Sequence, residues 1–255
     1  MSIAIVFHYT ILACYTMQMA GHSKWANIKR KKQSQDKVKG NVFAKLSRMI
    51  TLAVREGGGI GVPEKNVNLR LALELAKKNN MPKETIERAI EKGKGEDKDG
   101  LQTVTYEGFG PGGAALFIVG STDNPNRTVA EIRNTLEMNG GKLGQQGSVQ
   151  YLFAEVAKMT MDVMDEETVL EITEHIHALD IETHENTVTF YFPVQDIGII
   201  ENTSKYAEII EGPKIVYRPV SPIVIENDQT YEELTTLIDV LEEMDDVQQV
   251  YMNVV

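Results

Sequence analysis

The sequence is short of several things, and each shortage removes a class of protein. Its 255 residues contain one cysteine, Cys14, which excludes a disulfide framework and any thiolate metal cluster. That usage fits a reducing compartment without requiring one. The first nineteen residues hold no Lys, Arg, Asp or Glu. A secretory signal requires a positive n-region and a transit peptide requires arginines, so residues 1–18 resemble neither. A spanning helix requires about 20 apolar residues, and His8, Thr10, Thr16 and Gln18 interrupt this short run. The expectation is that synthesis starts at Met19 and that residues 1–18 are a start-site extension rather than a membrane anchor. No later segment is apolar enough to span a bilayer, and no membrane partner is expected. Low-complexity composition is missing too. The chain has 20 Gly and 8 Pro beside 42% apolar residues, the balance of a protein that buries a core. At about 100–200 residues per domain, two or three domains are expected.

Catalytic signatures are equally scarce. Residues 108–113 read G-x-G-x-G-G, but an apolar strand follows where a dinucleotide site would need a helix N-terminus, so a tight hairpin is expected. Residues 140–144 lack the Walker spacing. His175 and His177 stand two apart on an expected helix, with His184 beyond on a strand, and this is not a metal-ligand pattern. No G-x-S-x-G occurs, and outside the first eighteen residues no cysteine lies near a base. No catalytic residue, metal or cofactor is expected, and the chain reads as non-enzymatic. The acidic run 162–174 and the pair Asp245-Asp246 read as solvated faces and helix starts.

What the sequence does have is an uneven distribution of charge. The net value of -11 hides it. Residues 20–100 carry 19 basic and 10 acidic side chains, whereas residues 101–255 carry 7 basic and 27 acidic ones. The basic excess is steepest over 20–56. Such asymmetry suggests an arm that meets a polyanion, carried on a body that does not. A solvated lysine-rich helix face is the other reading of a charge run.

Lys29, Arg30, Lys31 and Lys32 are consecutive. On a helix they step about 100° each, so no orientation buries one flank without burying a charge. They belong in solvent or on an anion. Lys24, Lys37, Lys39, Lys45 and Arg48 extend the candidate surface on either side. Trp25, the one tryptophan, can stack on a base or pack a helix against Ile28. His22 can meet phosphate when protonated or simply be exposed. Asn80, Met81 and Lys83 sit at a helix start, where anions are favoured, although an ordinary interhelical turn reads the same way.

The periodicity divides the chain. Phe43, Leu46, Ile50 and Ala53, then Leu69, Ala72, Leu73 and Ala76, then Ile86, Ala89 and Ile90 recur at helical spacing. Residues 57–63 and 79–82 break the pattern, with Pro82 suited to a first turn, and residues 93–100 read as a linker. Strands are expected at 104–106, 115–119 and 149–153, with a helix over 126–138. Residues 155–219 have a β-α-β-β-α-β order, with strands near 156–163, 180–184, 187–192 and 214–219 and helices near 165–178 and 196–210; this is the split-βαβ signature. The tail adds a strand at 223–225, a helix from Thr230 with Thr230 and Glu233 at capping-box spacing, and a strand over 247–254. The expected division is 1–18, a basic helical domain 19–100, an α+β domain of 101–153 plus 221–255, and an inserted ferredoxin-like domain 154–220. Three consecutive domains remain the alternative on the pattern alone.

Several ordered motifs carry a resemblance. They begin with Met19-Ala20-Gly21-His22-Ser23-Lys24-Trp25-Ala26-Asn27-Ile28-Lys29, Asn80-Met81-Pro82 and Ile86-Glu87-Arg88-Ala89-Ile90. Further along stand Tyr106-Glu107-Gly108-Phe109-Gly110-Pro111-Gly112-Gly113, then Asn126-Arg127-Thr128 after Asp123-Asn124, Gly147-Ser148-Val149 after Gly144, and Asp245-Asp246-Val247-Gln248. Over 19–255 the chain resembles the YebC/PmpR family. The resemblance implies an α+β protein of three domains: an N-terminal helical one, then an α+β one interrupted by a ferredoxin-like insertion. It also implies a cytoplasmic, non-enzymatic regulator of gene expression. Family members are described as DNA-binding transcriptional regulators, and others as ribosome-associated translation factors acting on stalled peptide synthesis. The expected partner is therefore nucleic acid, either DNA or ribosomal RNA, or the ribosome itself. Charge does not separate these. An acidic protein-interaction module with an incidental lysine arm is a third reading.

Overall fold

The computed structural model describes residues 35–95, 100–162, 165–184, 186–205 and 208–255. The expectations for residues 1–18 and for 19–34 lie outside the described residues. Among the described residues three helices come first: α1 (Gln35–Glu56), α2 (Val67–Lys78) and α3 (Lys83–Lys94). Their apolar stripes meet in one core of Leu46, Ile50, Ala53, Val54, Leu69, Ala72, Ala76, Met81 and Ala89. Asn66 fixes the loop between α1 and α2. Its side chain accepts the Leu69 N–H as a helix cap (3.0 Å) and donates to the carbonyls of Ala53 (2.7 Å) and Ile60 (3.0 Å). α1 and α3 approach closely at Gly93, where a Cβ would stand 2.6 Å from Val54 and 2.7 Å from the Thr51 carbonyl.

Strands β1 (Gln102–Phe109) and β2 (Ala115–Thr122) form an antiparallel hairpin; α4 (Pro125–Met138) and the short β3 (Lys142–Leu143) follow. After a long excursion the chain returns as α6 (Asp228–Glu243) and β8 (Val247–Met252), and β8 pairs with β2. The first sheet therefore has the order β3-β1-β2-β8. Alternation along β2 sends Leu116 and Ile118 under α4 and α6, where they meet Ile132, Leu136, Leu237 and Leu241. Ala115 and Phe117 point the other way, into a second cluster with Val149 and Phe153. Both faces of β2 are buried, so it reads as an unbroken apolar run rather than an alternating one.

The excursion comprises β4 (Phe153–Asp162), α5 (Glu166–His175), β5 (Asp180–His184), β6 (Thr187–Phe192), a 3-10 segment (Val194–Lys205) and β7 (Ile209–Pro219). They build an antiparallel sheet in the order β5-β6-β4-β7, as the split-βαβ pattern requires. Met159, Met161, Val188, Phe190 and Phe192 pack on Val169, Ile172, Ile176, Ile197 and Ile200, covering one face. The two sheets touch through an aromatic group. Phe117 lies 4.7 Å from Tyr217 and 5.9 Å from Phe153, and Tyr217 lies 5.3 Å from Tyr251, measured between ring centres. The architecture is α+β.

Four local expectations need correction. The strand expected over 149–153 is a 3-10 turn at Gln150–Leu152, with β4 starting only at Phe153. Its first two backbone donors are taken elsewhere: the Glu107 carboxylate accepts the N–H groups of Val149 (2.6 Å) and Gln150 (2.8 Å), together with that of the preceding Gly147 (2.6 Å). The helix expected over 196–210 is 3-10 and stops at Lys205, and β7 begins at Ile209. The strand at 223–225 reduces to a single bridge between Ile223 and Val254. The last helix starts earlier than Thr230, because Asn227 caps it by accepting the Thr230 N–H at 3.0 Å; Glu233 instead accepts from Gln229.

Candidate nucleic-acid interface

The expected contact residues fall into three groups. His22, Lys24, Trp25, Lys29, Arg30, Lys31 and Lys32 lie outside the described residues. Lys37 and Lys39 stand near the start of α1, and Lys45 and Arg48 further along it. These last two do not face open solvent. Lys45 donates through Nζ to the Glu242 carbonyl at the end of α6, and Arg48 donates through Nη1 to the Asp245 carbonyl. Both cations thus sit at a helix C-terminus, the end that favours positive charge. They fasten the basic helices to the acidic body.

The fastening centres on Asp246, which is only 4% exposed and so corrects its reading as part of a solvated acidic pair. Its Oδ1 accepts from Arg48 at 2.8 Å. Its Oδ2 accepts from Arg127 at 2.8 Å, Thr128 at 2.6 Å and Thr122 at 3.1 Å. The Asp246 carbonyl also takes the Ser121 N–H at 2.8 Å. Burial alone would raise the carboxyl pKa, but the Arg127, Thr128 and Thr122 hydrogen bonds outweigh it and hold the group below the ordinary value. Asp246 in turn raises the Arg127 pKa, with Asp123 (3.0 Å) adding to the effect. One carboxylate therefore joins α1, the start of α4 and the start of β8.

The 79–83 loop is explained by helix termination. Asn80 has φ 56°. The Met81 N–H reaches the Ala76 carbonyl (2.9 Å) and the Asn80 N–H reaches that of Lys77 (2.9 Å). These are the two bonds of a Schellman motif, with Asn80 in the left-handed position where Gly or Asn is usual. Met81 then turns inward and is 6% exposed. Its burial in the helical core is at odds with the expected role in contacting nucleic acid; it packs where the motif places its hydrophobic contact. Lys83, in contrast, is exposed, 3.5 Å from Glu87, which is also exposed.

The exposed side of α3 alternates in sign, with Lys83, Arg88 and Lys92 among Glu84, Glu87 and Glu91. Other exposed cations of the helical unit are Lys65, Lys77, Lys78 and Lys94; Lys78 donates to the Ile210 carbonyl at 2.8 Å. Among the described residues, no group of three His, Cys, Asp or Glu could hold a metal ion, and no helix is long and apolar enough to cross a membrane. Sequence reading missed Arg127 and Glu107. Each stands in a motif quoted above, yet their partners lie 119 and about 40 residues away, and no local pattern announces such pairings.

Comparison with known proteins decides the family. Residues 23–96 match the TACO1/YebC protein N-terminal domain, and residues 101–254 match the TACO1/YebC second and third domain. The chain belongs to the TACO1/YebC family. It is similar to a "Probable transcriptional regulatory protein" of Halothermothrix orenii, 43% identical over 243 residues that span 92% of this chain and 94% of the relative. It is also similar to the "Probable transcriptional regulatory protein YebC" of Shigella boydii, 39% identical over 237 residues, 92% of this chain and 96% of the relative. The crystal structure of a conserved hypothetical protein from Aquifex aeolicus matches with a TM-score of 0.78 at 38% identity, covering 88% of this chain and 93% of that one. In TACO1/YebC terms, the Asp246 cluster ties the N-terminal domain to the remainder of the chain.

Proposed function

We propose that this protein is a non-enzymatic, cytoplasmic regulator of gene expression that binds nucleic acid through its basic N-terminal part. The observation that carries the reading is the division of charge: 19 basic against 10 acidic side chains over 20–100, and 7 against 27 beyond. Long-range attraction to phosphate concentrates on one part of the molecule, while the other is negative on balance. The relatives named probable transcriptional regulatory proteins support a DNA target. Lys29, Arg30, Lys31 and Lys32 supply the contact, with His22, Lys24, Trp25, Lys37, Lys39 and Lys83 beside them. Lys45 and Arg48 act indirectly, by holding α1 in place.

A second reading is binding to ribosomal RNA or the ribosome, which the same basic side chains would attract, since charge alone does not distinguish one phosphate polymer from another.

The test is a salt titration of binding to duplex DNA and to structured RNA. The log–log slope on duplex DNA should be about −0.9 per phosphate neutralised, and reversing the four charges at 29–32 to Glu should remove most of the affinity. A flat titration overturns the proposal. Comigration with ribosomes, without discrimination between promoter fragments and unrelated DNA, selects the ribosomal reading over the transcriptional one.

A further inference from the structure

The second sheet has two unlike faces. One lies under α5 and the 3-10 segment. The other floors a groove of about 1930 Å³, walled by Asn68 and Lys78 of α2 and by Gln248 and Gln249 of β8. Because Ala157, Met159 and Met161 point into the core, alternation turns Lys158 and Thr160 toward the groove. Register then sets Lys158 directly opposite Lys214 of β7 on one side and Tyr191 of β6 on the other. Like charges facing each other across a strand pair are destabilising. The body holds 27 acidic side chains and 7 basic ones, and three of those seven, Lys158, Lys214 and Arg218, gather on this one face.

Two of the three have counter-ions. Lys214 pairs with Glu211 at 2.7 Å. Arg218 is held by Asp180 (2.5 Å) and Glu182 (3.1 Å) and lies over the Tyr191 ring at 4.2 Å. Lys158 is different. Its half-buried ammonium makes no hydrogen bond or ion pair among the described residues; the same ring lies 5.9 Å away, and the Glu211 and Glu182 carboxylates act on it only through space, offsetting part of the cost of burial. Burial first, then the charge on Lys214, lowers its pKa. A cation drawn partly out of water and set beside another is a standing cost, and a bound anion relieves it.

We propose that the open face of this sheet binds the phosphodiester backbone of a single-stranded nucleic acid, with Lys158 at the centre of the contact and Lys214 and Arg218 beside it. A single strand is the occupant because the cations lie on the floor of a groove, the arrangement that tracks one backbone. The amides of Asn68, Gln248 and Gln249 stand on the walls; Gln248 and Gln249 donate through Nε2 to Ser121 (3.2 Å) and Glu242 (2.5 Å), which leaves the Asn68 amide to meet an unpaired base edge. The inference rests on the nucleic-acid reading above and adds a second contact surface, on the acidic body rather than the basic arm.

The experiment uses the full chain, a short labelled single-stranded RNA of mixed sequence, and fluorescence anisotropy over a salt series. The double variant Lys158→Gln, Lys214→Gln should lose about tenfold in affinity at low salt. Its log–log slope should flatten by about 0.7 for each phosphate that is no longer neutralised. Lys158→Arg should bind like the parent. Lys158→Gln alone should raise the melting temperature, since it relieves like-charge repulsion, whereas loss of a lysine with a purely structural role would lower it. If parent and double variant bind equally while the variant charge-reversed at 29–32 does not bind, the groove proposal is overturned and the arm reading stands. If the parent binds no nucleic acid, both fail. If the double variant loses an oligoglutamate peptide but keeps the RNA, the groove serves an acidic protein segment and the proposal is again overturned.

Discussion

Asp246 and Lys158 are both charges withdrawn from water, and the fold treats them in opposite ways. Four side-chain donors from three elements converge on Asp246, whereas Lys158 meets a like charge across the ladder and a ring at a distance. A saturated buried charge is architecture: every partner it binds is held to the others. An unsaturated one carries an unfavourable energy that a bound counter-charge would relieve. The molecule places the first kind at the seam between the basic helices and the acidic body, and the second on a face left open.

The sharpest way to break this contrast is to delete the saturated charge. Asp246→Ala leaves Arg48, Arg127, Thr122 and Thr128 without their shared acceptor, and should cost about 3 kcal/mol in a urea melt. Arg48→Ala should cost less, since Asp246 keeps its other three donors. A neutral Asp246→Ala would mean that the seam is held by packing alone and would dissolve the comparison.

Acid sharpens the same contrast with a smaller effect. Asp246 and Glu107 both titrate below their ordinary values of 3.8 and 4.5 in the folded protein. At Glu107, burial opposes the shift, and the Val149, Gly147 and Gln150 N–H groups prevail. A carboxyl whose folded pKa is depressed contributes stability above its unfolded value and loses it as pH falls through the folded one. Urea midpoints should therefore drop from about pH 4.5 downward. Glu107→Gln should lower stability at pH 7 and reduce that slope. Equal pH dependence in parent and variant would remove Glu107 from the account.

The smallest effect concerns the 79–83 loop. Asn80→Gly keeps the left-handed residue that ends α2 and should change stability by only a few tenths of a kcal/mol. It should leave nucleic-acid affinity where it was. A clear loss of affinity would make Asn80 a contact residue as well as a cap.

The sequence made the periodic parts of this protein legible. The helical stripes from Leu46 to Ile90 and the β-α-β-β order after residue 155 follow from spacing, and they appear as expected apart from the 3-10 turn in place of the last helix. Failures cluster where one side chain overrides local preference. Glu107 captures the Val149 and Gln150 donors that a strand at 149–153 would have used. Asn227 caps α6 in place of Thr230. Met81 looks like part of a polar loop until the Schellman turn folds it inward. The candidate surface was less legible than the fold: Lys45 and Arg48 read as phosphate contacts, and the structure seats them on the body's own carbonyls.

Local pattern, then, was enough to place the strongly periodic helices and strands and to show how charge divides along the chain, because periodicity and composition are properties of neighbours in sequence. Only the tertiary structure decided that Asp246 is interior and shared, that β8 closes the sheet begun by β1 and β2, and that Lys158 confronts Lys214. Each of those depends on residues brought together from distant parts of the chain, and the free energy of a charge is set by what surrounds it in space.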